Sequence, residues 1–326
     1  MLGTTLADRY KVIKALGSGG FSKTYLATDT QRSDKRRCIV KKLQTESDDL
    51  FTVKTSRRLF ATEVKVLKRL GDYDQIPQFF DDFEEDEDFF LIEQYIEGKN
   101  LKQEFGWRRW SEAKVIDFLQ DVLTTLTYVH QRRVIHRDIK PANLIRRKKD
   151  KKIVLIDFGS VKNKRRIAQT VVIGTDGYMP SEQSIGRPNF SSDVYAVGII
   201  AIQALTGMDP TKGKITFDPK TGEIAWRRYI SINPVLGDII DKMVRYDFRQ
   251  RYPSAIEALA EVNELITEVP SIERRQMLQT AASWGVGMLG VGLAYGAFTQ
   301  KWLFPSANTF IKQLFGQADL NSEEKS

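Results

Sequence analysis

Cysteine is nearly absent from this 326-residue chain. Cys38 stands alone, which excludes an intrachain disulfide and any Cys-based metal cluster. Histidine is almost as scarce. His130 and His136 are the only two, too few for a His-rich zinc site. The first residues, Met1 to Leu6, lack the basic stretch and apolar core of a signal peptide. No internal repeat occurs. No basic element interleaved with aromatics stands out as a nucleic-acid reader, although the formal net charge is +8. A surplus of that size is compatible with a membrane surface or an acidic substrate, and equally with an ordinary basic protein. Charge itself is missing from one long stretch, Met277 to Gln300.

What is present divides into two compositional halves. Up to about Tyr95 the pattern is mostly strand-like. Tyr10 to Leu16 alternates apolar and polar residues, Arg37 to Lys41 and Phe89 to Tyr95 read as further strands, and Leu59 to Leu70 has helical periodicity. From Ser111 helices dominate. Ser111 and Glu112 open one that runs to about His130, and Ser191-Ser192-Asp193 opens another through Leu205 that is apolar almost all round and so belongs inside. Ile153 to Ile156 reads as a short buried strand. An acidic run, Asp81 to Asp88, and a basic run, Arg146 to Lys152, read as solvated turns, with partner docking as the sharper alternative.

The chemistry is concentrated in His136-Arg137-Asp138-Ile139-Lys140-Pro141-Ala142-Asn143, followed by Asp157-Phe158-Gly159. This spacing supplies a base, a cation and two oxygen ligands for a metal, which is what phosphoryl transfer uses. Upstream, Gly17-Ser18-Gly19-Gly20-Phe21-Ser22 joins two predicted strands. Such a turn is either a plain hairpin or a place where backbone N–H groups approach phosphates with no Cβ in the way. A dinucleotide-binding reading is poor because a strand follows rather than a helix, and a P-loop reading is poorer because no Gly-Lys-Ser/Thr occurs there. Lys41 lies in an apolar strand, where an unpaired ammonium is costly. Glu63, on the following helix, is its natural partner. Lys42 points to the opposite face of the strand.

Together these motifs resemble the eukaryotic-like protein kinase family, over about Tyr10 to Ile266. Gly17 to Ala27 and Met243 to Tyr252 are similar to its bacterial, cyanobacterial-type serine/threonine branch. The resemblance implies an α+β, bilobal protein kinase fold at 10–266, with a small β-rich N-lobe over about 10–95 and a larger α-helical C-lobe over about 96–266. It implies transfer of the γ-phosphate of ATP to Ser/Thr hydroxyls of protein substrates, with autophosphorylation. Mg²⁺, or Mn²⁺ in its place, is the expected metal. Asp138 takes or orients the acceptor's proton, Lys140 stabilises the transferring phosphate, and Asn143 and Asp157 hold the metal. Lys41 grips the phosphates and pairs with Glu63. Gly17, Ser18, Gly19, Gly20 and Phe21 cover the nucleotide, and the hinge at Gln94 and Ile96 offers backbone groups to adenine. Glu182 pairs with Arg251, Asp193 anchors the catalytic loop, Thr175 contacts Asp138 and Lys140, and Thr170 is the candidate phosphosite beside Arg137. Lys140 matches the serine/threonine pattern. His136 reads as packing and His130 as a helix-end residue without chemistry.

Several positions depart from the family pattern. Ser22 replaces the third loop glycine, and Pro180-Ser181-Glu182 replaces Ala-Pro-Glu. Ile39 and Thr24 replace the usual Ala and Val of the adenine site. Glu93 stands just before the hinge, where an apolar or neutral polar residue is usual. A pseudokinase scaffold and a small-molecule phosphotransferase are the competing functional readings.

The uncharged stretch 277–300 spans roughly 36 Å as a helix, against a hydrocarbon core about 30 Å thick. Trp284, Tyr295 and Trp302 suit the interfaces, and Gly292 and Gly296 permit close helix packing and hence a homodimer. It is expected to be a single transmembrane helix after a linker at 267–276 and before a short tail at 301–326, with the kinase domain in the cytoplasm where ATP is. The alternatives are an apolar helix packed on the kinase, a linker or a surface-lying anchor, and a soluble cytoplasmic protein.

Overall fold

Six antiparallel strands begin the chain: β1 (Thr5–Leu6), β2 (Tyr10–Gly19), β3 (Ser22–Asp29), β4 (Arg37–Leu43), β5 (Phe79–Glu85) and β6 (Asp88–Gln94). Their order in the sheet is β1-β2-β3-β4-β6-β5. Helix α1 (Leu50–Leu70) lies in the chain between β4 and β5, and the β5–β6 hairpin then returns so that β6, not β5, pairs with β4. The computed structural model describes residues 1–19, 22–44, 50–105, 109–160, 162–163, 175–213 and 216–266, all within one unit, Met1–Val269.

Period-two alternation decides which side chains meet. In β4, Cys38 and Val40 are buried with Tyr10, Val12, Tyr25, Ala27 and Ile92 in one cluster. Ile39, Lys41 and Leu43 point to the other side. Leu43 joins a larger apolar cluster with Phe60, Val64 and Leu67 of α1, which continues into the helical part. Lys42 falls on the face opposite Lys41, pairs with Asp88 and lies over the Phe90 ring.

After β6 come β7 (Gly98–Asn100), α2 (Leu101–Glu104), α3 (Glu112–Gln131), β8 (Val134–Ile135), β9 (Leu144–Arg147), β10 (Ile153–Leu155), β11 (Lys162–Asn163), α4 (Ser181–Ser184), α5 (Phe190–Thr206) and α6 (Pro234–Met243). A last helix, α7, covers 255–266. Ser111 caps α3 by accepting from Lys114 N at 3.3 Å. Helix α5 is buried nearly all round, as its composition requires, and packs against α3 and α6. A β-rich part followed by a helical part is the bilobal order expected.

Four expectations need correction. Helix α1 starts at Leu50, nine residues before Leu59, because its buried positions there include Thr55 and Ser56, which an apolar stripe does not reveal. Helix α5 is capped by Asn189, not by the serine pair: Asn189 accepts from Ser191 N, and Ser192 closes the capping box. The acidic run is mostly strand. Asp81 to Glu85 belong to β5, where Asp81 accepts from Tyr10 OH and Asp82 pairs with Lys68, and only Asp86 and Glu87 form the turn. In the basic run, Arg146 and Arg147 lie in β9, and Arg147 is held by Asp74 and Asp150.

Among the described residues no helix is long and apolar enough to cross a membrane. The segments 267–276, 277–300 and 301–326 lie outside the described residues, as do Gly20, Phe21 and Thr170.

Candidate active site

The loop from β8 to β9 is built around one carboxylate, Asp193, at the start of α5. Asp193 Oδ2 accepts from His136 N and Oδ1 from Arg137 N, both at 2.8 Å. His130 Nε2 lies 3.1 Å from the same Oδ2, and His130 Nδ1 accepts from Ala255 N at 3.2 Å. His130 is therefore a buried link between α3, α5 and α7 rather than a bare helix end. Arg137 has a positive φ of 69°, which disfavours a side chain with a Cβ. The two hydrogen bonds that flank it, from its own N to Asp193 and from Gln183 Nε2 to its O at 2.6 Å, hold that conformation.

His136 is fully buried and edge-on to Phe158, with centroids 4.9 Å apart. Burial lowers its pKa, against the pull of Asp193 and Asp138. Its Nδ1 lies 3.3 Å from Asp138 N and its Nε2 3.2 Å from Ile156 O. A neutral ring, accepting at Nδ1 and donating at Nε2, satisfies both. Packing is its role here.

Asp138 is positioned from three directions. Thr175 Oγ1 donates to Oδ1 at 2.8 Å, and Lys140 Nζ lies 2.7 Å from Oδ2. Asn143 Nδ2 donates to Oδ2 at 3.0 Å and to the Asp138 carbonyl at 2.9 Å. Lys140 also donates to Thr175 Oγ1 at 3.0 Å. Thus Thr175, 37 residues away in sequence, closes the group.

Asp157 follows β10 with φ 67°. Desolvation raises its carboxyl pKa, but the charge of Lys41, helped by the Gly159 N–H, outweighs that and holds it below the usual range. Its side chain is 46% exposed, so an ionised carboxylate is open to the cleft. Asn143 spends its amide nitrogen on Asp138, which fixes the amide and leaves Oδ1 as its acceptor atom. Two hard oxygen donors of this kind fit a divalent cation such as Mg²⁺.

Lys41 and Glu63 meet as expected, with Nζ donating to Oε1 at 2.6 Å. Gly159 makes room for the pair, since a Cβ there would stand 3.0 Å from Glu63 Oε2. Burial lowers the pKa of Lys41, but Glu63, Glu93 and Asp157 together raise it well above the usual value. Burial pushes Glu63 and Glu93 the other way from a normal carboxylate, upward, against the charge of Lys41. Gly17 pairs with Thr24 in the β2–β3 hairpin, and a Cβ on it would meet nothing within 4 Å, so the space beside it is open. Ser18 and Gly19 continue that hairpin opposite Lys23 and Ser22. Gln94 ends β6, and the buried Ile96 lies on the crossing to β7.

Glu182 and Arg251 form a buried pair far along the chain from Asp138. Arg251 Nη1 lies 2.8 Å from Oε1 and Nη2 3.3 Å from Oε2.

Sequence reasoning missed Gln183, Gln75 and Asp121. Gln75 Nε2 donates to Asp121 Oδ1 and to Ile153 O, and Ile153 N donates to Asp121 Oδ2 at 2.7 Å, which steers β10 toward Asp157. Nothing local marks these residues. Glu93 was visible only as a departure; its contact with Lys41 was not.

The sequence pattern of the protein kinase domain matches residues 10–262. The chain is similar to the serine/threonine-protein kinase PknA of Nostoc sp., at 39% identity over 85% of this chain and 50% of that protein. It is similar to the serine/threonine-protein kinase C of Synechocystis sp., at 41% over 81% of this chain and 51% of that protein. With kinase B of the same organism the identity is 37%, over 88% and 51%. The chain thus spans about half the length of these curated relatives.

Proposed function

The chain belongs to the protein kinase family, and from that premise we propose that it transfers the γ-phosphate of ATP to Ser or Thr hydroxyls of proteins, itself included. One observation carries this reading. The Asp138 carboxylate is held at once by Lys140, Thr175 and Asn143 while Lys41 is closed on Glu63. A chain that had lost transfer would have no need to keep both halves of the machinery in register.

In this reading Asp138 orients the acceptor hydroxyl and takes its proton. Lys140, bonded to both Asp138 and Thr175, presents its ammonium beside that hydroxyl and to the negative charge on the transferring group. Asn143 and Asp157 would hold the divalent cation, taken to be Mg²⁺ with Mn²⁺ as a substitute. When bound, it neutralises charge on the phosphate oxygens. Lys41 takes the phosphates, the open space at Gly17 admits their close approach, and the 94–96 crossing offers backbone groups to the base. Asp193 and Gln183 keep the loop rigid, so that little reorganisation is left for the reaction. Arg137 has Arg58 as a like-charged neighbour, and burial with that repulsion brings its guanidinium down to about 10. A guanidinium with a second one near enough to repel it suits an added phosphate, which supports Thr170 as the candidate phosphosite.

The experiment is transfer of labelled γ-phosphate to the chain and to a generic protein. Asp138→Asn is expected to lower the rate by about 10²–10⁴-fold. Transfer unchanged in that variant overturns the assignment.

The tethering belongs to the same proposal. The absence of charge over 277–300 supports a single span that holds the kinase domain, 10–266, at the cytoplasmic face, with Gly292 and Gly296 available for a homodimer. Fractionation decides it. The full chain should sediment with membranes, whereas a 1–272 fragment should not.

A further inference from the structure

Lys41 faces three carboxylates. Glu63 Oε1 lies 2.6 Å from its ammonium, Glu93 Oε1 3.2 Å and Asp157 Oδ1 3.9 Å. Two of them reach it on different foundations. Glu63 comes from α1, so its distance depends on where that helix lies. Glu93 comes from β6, which is hydrogen-bonded directly to β4 with Ile39 opposite Glu93 and Leu91 opposite Lys41. Lysine and glutamate thus sit on one ladder, and their separation is fixed by the sheet.

Glu93 is 4% exposed, and among the described residues its Oε2 has no hydrogen-bond partner. Its one polar tie in that set is Lys41. A buried carboxylate with half its acceptors unused is a burden on the fold. An apolar side chain would pack at the same place without that burden. What Glu93 contributes must therefore run through the lysine it touches.

We propose that Glu93 is a second positioning residue for Lys41. It holds the ammonium from within the sheet, so the lysine stays aimed into the cleft whether or not α1 delivers Glu63. The inference rests on the kinase reading above for the meaning of that aim, but not for the geometry.

The test is a double-substitution cycle on the full chain with Glu63→Gln, Glu93→Gln and both together. Two quantities are measured: kcat and KM for ATP in the transfer assay, and the rate at which an amine-acylating reagent modifies Lys41 without nucleotide, followed by peptide mass spectrometry. Each single change should cost kcat about tenfold or less, and the pair at least about tenfold more than the product of the two. Acylation of Lys41 should stay slow in each single variant and rise about tenfold in the double, because only there does the ammonium lose both anchors. Glu63→Gln already as inactive and as readily acylated as the double variant overturns the proposal. So does a double loss equal to the product of the single losses. The acylation readout needs no turnover, so a chain that transfers no phosphate would refute the kinase reading and leave the anchor to be judged by acylation alone. If Glu93→Gln does not fold, Glu93→Leu takes its place in the cycle, since it leaves no unsatisfied buried polar group.

Discussion

Arg251 and Lys41 are both buried cations paired with a glutamate, one among the helices and one in the cleft, and their surroundings differ in kind. Around Arg251 every guanidinium nitrogen has an acceptor. Its guanidinium takes both oxygens of Glu182, its Nε donates to Arg245 O at 2.6 Å and its Nη2 to Tyr246 O at 3.1 Å. Ser192 Oγ adds a bond to Glu182 Oε1 at 2.7 Å. Around Lys41 the charges do not balance, because one ammonium serves three carboxylates and, among the described residues, Glu93 Oε2 has no hydrogen-bond partner. A balanced buried pair ties two segments together. An unbalanced one is costly to the empty protein and makes sense where a ligand will complete it. A buried cation–glutamate pair thus suits stability in one place and ligand binding in the other.

The difference can be broken most sharply at Arg251. Arg251→Met leaves Glu182 buried without its cation and should lower the unfolding free energy by about 3–5 kcal/mol, read by chemical denaturation. A loss below about 1 kcal/mol would mean the two pairs are not different in kind.

The matching change in the cleft should do far less to the fold. Glu63→Gln still leaves Lys41 with Glu93 and Asp157, so its cost in the same denaturation experiment should be about 1 kcal/mol or less, while its effect appears in transfer.

The smallest effect depends on pH. Burial raises the Glu93 carboxyl pKa above its ordinary value, so the folded chain holds this proton more tightly than the unfolded one. Such a group supports the fold below its unfolded pKa and loses that support as pH rises through the folded value. Glu93→Gln removes the titration. Its thermal midpoint, compared with the parent, should therefore improve as pH rises above the ordinary glutamate range. A difference that is flat with pH, or that shrinks, contradicts the account of Glu93 as an under-satisfied buried carboxylate.

Much of this site was legible before any coordinates. Lys41 meets Glu63, Asn143 meets Asp138, Arg251 meets Glu182 and Asp193 holds the loop backbone, each contact one that the motifs implied. Each of these residues sits in a short segment whose residue types and order are constrained by one chemistry. The partners that hold those motifs were not legible. Gln183 on Arg137, and Gln75 with Asp121 on β10, act across 46, 78 and 32 residues of sequence. A hydrogen bond across such a gap leaves no periodic trace. The acidic run misled for a related reason: its charges are matched by Lys68, Lys42 and Tyr10, which lie on other elements.

The sequence by itself determined the division into a strand-rich and a helix-rich part, the catalytic loop, and which lysine of the Lys41–Lys42 pair faces the cleft, because side-chain alternation along a strand is a local property. Only the tertiary structure decided that Glu93 joins Glu63 on Lys41. That contact depends on β6 returning past β5 to pair with β4, and on a register that puts Ile39 opposite Glu93. Strand order and register are set by how the whole sheet packs, and no single segment carries that information.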